Sequence, residues 1–110
     1  MYTKITKELL EKNGYKQFPI PPLKEGVDIF MQKKIRMGTG EEEVLFIDAL
    51  FYDYRKYSPN AGCAWSFETQ LGEDRTFNVE TVHWEYPDLE EIENFFKNLY
   101  FFSRRLENKE

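Results

Sequence analysis

The chain has 110 residues, 41% of them hydrophobic and 32% charged, with ten Phe, seven Tyr and two Trp. That is enough apolar area for the core of one domain, too little for two, and too much for global disorder. The formal charge of −5 is uneven, with ten Lys and Arg against nine Asp and Glu in residues 1–60 and five against eleven in residues 61–110, so a chain without a basic stripe ranks nucleic acid low as a partner and a protein surface higher.

The start, Met1-Tyr2-Thr3-Lys4, leads into a charged helical pattern instead of an apolar signal core. No run approaches the roughly 20 apolar residues of a membrane span, so a cytoplasmic protein without a membrane partner is expected. Thr3 as N-cap predicts a short helix with Ile5, Leu9 and Leu10 on one side, stopped at Asn13-Gly14 because Gly adopts the left-handed conformation without strain. Residues 15–26 hold Pro19, Pro21 and Pro22, which predict an extended connector, with Phe18, Ile20 and Leu23 pinning it to the core.

Four strand-like segments follow, at 27–37, 43–54, 64–71 and 77–86. In the first, Val27, Ile29, Met31, Ile35 and Met37 alternate with Asp28, Phe30, Gln32, Lys34 and Arg36, giving one buried and one wet face. Gly38-Thr39-Gly40 predicts a hairpin into the second, where Leu45, Ile47, Ala49 and Phe51 alternate with Val44, Phe46, Leu50, Tyr52 and Tyr54. Apolar faces on both sides mark a central strand. In the third, Trp65, Phe67, Thr69 and Leu71 share a face, and in the fourth the phase slips between Val79 and Val82, which predicts a bulge at 80–82. Asp88 with Glu91 has capping-box spacing, and steps of 100° then place Leu89, Ile92, Phe95, Phe96, Leu99, Phe102 and Leu106 in one arc. Phe101 falls outside it, exposed among Glu90, Asn94 and Lys97. The expectation is a single α+β domain spanning residues 1–110: a four-stranded antiparallel meander sheet with a short N-terminal helix and a longer C-terminal helix packed on it.

Groups suited to catalysis are few. His83 is the only histidine and lies between Val82 and Trp84, where an ordinary strand position explains it, although Glu80 and Glu85 are near in sequence. Cys63 is the only cysteine and has no evident histidine partner. One Cys and one His build no zinc constellation, and the Gly-Thr-Gly turn followed by three glutamates is the electrostatic opposite of a phosphate cradle. No catalytic residue, metal or cofactor is therefore expected. Asp48 and Asp53 interrupt the most apolar strand, and the cost of a carboxylate there predicts pairing with Lys33, Lys34 or Arg36 across the first hairpin.

Features suited to contacts are more numerous. Residues 55–63 form a long polar connection, and Tyr52, Tyr54, Tyr57, Trp65 and Trp84 belong to the amphipathic aromatic class enriched in binding hot spots. Tyr54, Arg55, Lys56 and Tyr57 are the expected binding residues on the loop, with Phe101 as an anchor for a partner or a second copy of the chain. Two other readings stand beside this one: a ligand or substrate pocket around Asp48, His83 and Trp65, and an acidic surface over residues 73–80 and 85–93 that mimics nucleic acid. The aromatic-rich make-up of this short chain, with its acidic helix start Asp88, Leu89, Glu90, Glu91, Ile92, Glu93, Asn94, Phe95 and Phe96, resembles small uncharacterised accessory proteins of bacteriophages and bacterial mobile elements. The resemblance implies a non-enzymatic protein that binds or inhibits a host component, and it carries over no site residue.

Overall fold

The computed structural model describes residues 5–71, 76–80 and 88–107, with Thr76–Glu80 and the last two residues described by backbone alone. Helix α1 (Lys7–Lys12) is capped by Thr6, whose side chain accepts from the Leu9 amide. The expected cap, Thr3, lies outside the described residues, and Thr6 takes the part three residues later with the same hydroxyl chemistry. The stop at Asn13-Gly14 is as expected. Gly14 has φ +94°, its amide donates to the Glu11 carbonyl and the Tyr15 amide to that of Leu10, a Schellman arrangement closed by burial of both Leu10 and Tyr15.

Five antiparallel strands follow in chain order: β1 (Lys16–Phe18), β2 (Ile29–Arg36), β3 (Val44–Asp53), β4 (Cys63–Gln70) and β5 (Thr76–Glu80). The four expected strands are β2 to β5, each beside its neighbour in sequence. β1 is an addition, three residues from the stretch read as a connector, paired Lys16 to Gln32 and Phe18 to Phe30. It ends at Pro19, which lacks the amide an edge ladder needs. Phe18, Ile20 and Leu23 do not pin this segment to the core as expected: all three are exposed, Leu23 almost fully. What holds the connector is polar, the Lys24 ammonium on the Glu68 carboxylate at 3.0 Å. The expected bulge at 80–82 and the rest of the fourth segment lie largely outside the described residues.

The strands place odd-numbered β2 to β4 residues on one face, the front. There Ile29, Phe51 and Trp65 stand in one cross-strand row, and Met31, Ala49 and Phe67 in the next. Helix α2 (Leu89–Glu107) covers this face with Leu89, Ile92, Phe96 and Tyr100, which join Met31, Leu45, Ile47 and Phe67 in the main core. Asp88 precedes the helix as expected, its carbonyl accepting from the Ile92 amide. The arc is rotated from the expected one: Phe95 and Phe102 are exposed, and Glu93 and Tyr100 are buried in their place. A hydrophobicity wheel cannot foresee this, because it scores Glu93 as solvent-seeking whereas here the carboxylate has partners.

Those partners define the join between helix and sheet. The Tyr15 hydroxyl donates to Glu93 Oε2 at 3.0 Å, and Lys33 Nζ reaches both carboxylate oxygens at 3.0 Å while passing over the Tyr15 ring. Burial first, and the Glu93 charge second, push the Tyr15 hydroxyl far above its ordinary pKa. Tyr15 therefore remains a neutral donor.

Candidate functional site

Among the described residues, no helix packs on the back face of the sheet. At one end Leu50 is buried under Val27 and Phe30, with Tyr52 packed on them. Toward the β2–β3 hairpin that cover stops. Phe18 of β1 and Phe46 of β3 are each 44% exposed, and they line a cavity of about 330 Å³ with Gly14, Lys16, Gln32 and Lys34. β-Strand alternation puts Lys16, Phe18, Lys34, Arg36 and Phe46 on this one face, since Lys34 lies directly opposite Phe46 and Lys16 opposite Gln32. Among the described residues, neither lysine nor Arg36 has a carboxylate within ion-pair distance. An acidic chain thus presents a local patch of opposite sign.

A polar row borders this patch: Lys16, Gln32, Asp48, Glu68 and Asn78 are opposed across all five strands. Gln32 Nε2 donates to Asp48 Oδ1 at 2.8 Å. Asp48 therefore has Gln32 as its partner and not a cation of the first hairpin, as the sequence suggested. Burial holds its pKa above the ordinary carboxylate value; the Gln32 hydrogen bond opposes the shift and the Glu68 charge adds to it. Asp53 likewise turns away from the hairpin lysines.

Asp53 organises the loop. Its Oδ1 accepts from the Arg55 amide at 3.1 Å and Nε at 2.8 Å, its Oδ2 from Arg55 Nη2 at 2.7 Å, and Cys63 Sγ donates to Oδ1 at 3.5 Å. The Arg55 hydrogen bonds hold Asp53 well below the usual carboxylate range and raise Arg55 in return. Tyr54–Lys56 forms a 3-10 turn, and Lys56 Nζ reaches the Gly26 carbonyl at 2.8 Å and both Asp28 oxygens at 3.1 Å. Asp28 also accepts from the Asp53 amide at 2.9 Å, the main reason its pKa is lowered. Of the four expected loop residues, Arg55 is thus engaged by Asp53 and Lys56 by Gly26 and Asp28, just before β2. Tyr54 stacks on Tyr52 at 5.9 Å, and Tyr57 remains 72% exposed.

Phe101 is half-exposed as expected, edge-on to Tyr100 and beside Met37, Glu43 and Arg104 near the β2–β3 hairpin. The loop leaves the other end of β3, a strand of ten residues, roughly 30 Å long at 3.3 Å per residue. Loop and Phe101 therefore do not form one surface. Asp48 and Trp65 do not converge either: Asp48 opposes Glu68 on the back face, whereas Trp65 opposes Phe51 on the front. His83 lies outside the described residues, as does much of the suggested acidic surface, and Glu93 within that surface is buried. Among the described residues, no three His, Cys, Asp or Glu groups are placed to hold a metal ion, and no helix is long and apolar enough to cross a membrane.

Lys16, Phe18, Lys34 and Phe46 were not singled out by the sequence as a site. The readable signal was Phe46 and Lys34 at outward parity on neighbouring strands; the contribution of β1 was hidden because its three residues precede a proline-rich stretch. No family model matches the chain, and neither a curated protein nor a solved structure does.

Proposed function

We propose that this protein is a non-enzymatic, cytoplasmic protein-binding module that receives an acidic segment bearing aromatic residues on the open end of its back sheet face. The observation that carries the reading is the pairing of two half-exposed phenylalanines, Phe18 and Phe46, with two lysines, Lys16 and Lys34, around one depression. Aromatic side chains in a desolvated centre supply most of the energy of such contacts, and surrounding charges set orientation and partner choice. An inhibitory role toward a host component, as the resemblance to phage and mobile-element proteins implies, needs no more than such a surface. The net charge of −5 weighs against a long nucleic-acid strand as the partner.

The test uses fluorescence anisotropy with a short labelled Glu/Tyr copolymer peptide and, in parallel, oligothymidylate. The peptide is expected to bind in a salt-sensitive manner, and Lys16→Glu/Lys34→Glu and Phe46→Ser are each expected to weaken it about tenfold or more without changing the melting curve. Equal binding by parent and variants overturns the reading. Preferential capture of oligothymidylate by the same residues replaces it with single-strand stacking.

A further inference from the structure

We infer a second, independent site on the front face: a pocket for a small apolar ligand with an anionic head, such as a medium-chain or aryl carboxylate. The pocket lies where the sheet outruns its helix. Glu93 sits over Lys33, and Leu89, the first residue of α2, is one helical turn earlier, about 6 Å along the axis. The row Ile29, Phe51 and Trp65 is two cross-strand rows beyond Lys33, roughly 13 Å along the strands. That row therefore falls past the start of α2, and among the described residues it is the segment entering α1 that borders it. The result is a cavity of about 350 Å³ lined by Ile5, Thr6, Lys7, Ile29, Phe51, Arg55, Cys63 and Trp65.

Its size falls in the range of small-molecule sites, which runs from roughly 300 Å³ upward. Its floor is apolar and rigid: Phe51 and Trp65 rings meet at 5.0 Å, and Trp65 is buried. Apolar walls admit a hydrocarbon or aryl body and give no reward to a sugar or a nucleotide. The head group follows from the two cations at the rim. Arg55 already has both its fork positions on Asp53, but among the described residues Lys7 meets one carboxylate, that of an exposed Glu11 at 3.8 Å, a contact too loose to compete with an incoming carboxylate. Cys63, the only thiol of the chain, lines the wall and reports on occupancy.

Octanoate, 1-octanol and acetate are the probes, read by calorimetry and by the rate at which a thiol reagent modifies Cys63 in the full chain. Octanoate is expected to bind and to slow Cys63 modification several-fold; acetate, with no apolar body, is expected to do neither. Lys7→Glu is expected to weaken octanoate about tenfold, the loss of one charge-assisted contact, and to leave octanol unchanged. Lys7 is on the surface of α1, so the variant keeps the fold, and the protection measurement on the parent needs no variant. No protection by octanoate overturns the site, and equal response of octanoate and octanol to Lys7→Glu overturns the anionic head. Neither result bears on the back-face reading.

Discussion

A single buried carboxylate decides how the C-terminal helix seats. Glu93 is 9% exposed and satisfied by Tyr15 and Lys33, so removing Lys33 leaves a buried carboxylate with a neutral hydroxyl donor and no opposite charge. Lys33→Met is expected to lower unfolding stability by about 3 kcal/mol in urea, whereas Lys33→Met with Glu93→Leu is expected to recover most of it. Additive losses in the double variant would mean that the ion pair is not what the helix needs. Asp48 gives a pH signature of its own. Its folded-state pKa is above the unfolded value of 3.8, so the native state takes up the proton first as pH falls. The contribution of Asp48 to stability therefore improves on acidification through that folded-state pKa and is complete below the unfolded one. Asp48→Asn is expected to stabilise the protein at pH 7 and to lose that advantage progressively as pH falls, until it vanishes below the unfolded value of 3.8, read from paired denaturation curves; an advantage constant with pH contradicts it. Both partnerships were half legible. Lys33 has inward parity between Met31 and Ile35, and Glu93 falls beside Leu89 at the edge of the apolar arc on the wheel, but pairing them requires knowing how the helix lies across the sheet.

At the scale of elements, local chemistry was the readable part. The Asn13-Gly14 stop, the Gly-rich hairpin, the four strands and the helix start after Asp88 each depend on residues within a few positions of one another, and each is found. What local pattern misjudged was burial on α2 and in the connector, because both are set by tertiary neighbours: Tyr100 is buried where Phe95 and Phe102 were expected, and Lys24 anchors where Phe18, Ile20 and Leu23 were expected. The candidate site suffered for the same reason. Arg55 and Lys56 look available in sequence and are bound to Asp53 and Asp28 in the fold. The corrected helix face makes a contrast that denaturation can check. Phe96→Ala, at 0% exposure, is expected to cost about 3–5 kcal/mol, and Phe102→Ala, on the exposed flank, about 0.5 kcal/mol or less. Similar costs for the two would return the helix to the rotation the wheel suggested.

Across the whole molecule, the two proposed sites use opposite faces of one sheet, and Phe101 belongs to neither. Phe101→Glu is therefore expected to leave both peptide capture and Cys63 protection by octanoate unchanged, with stability altered by no more than about 1 kcal/mol; any loss of self-association in sedimentation would assign the residue a contact of its own. The strand order carries a further consequence, for the order of assembly. Every sheet neighbour is also a neighbour in sequence, so each hairpin can close over a short loop while the chain is still being made. The helix is different: its hydrogen bonds to Lys33 and Tyr15 span 60 and 78 residues. The meander can thus pair before α2 is made, with Met31, Ile47 and Phe67 open to water until it arrives, and the helix converts a sticky sheet into a protected core.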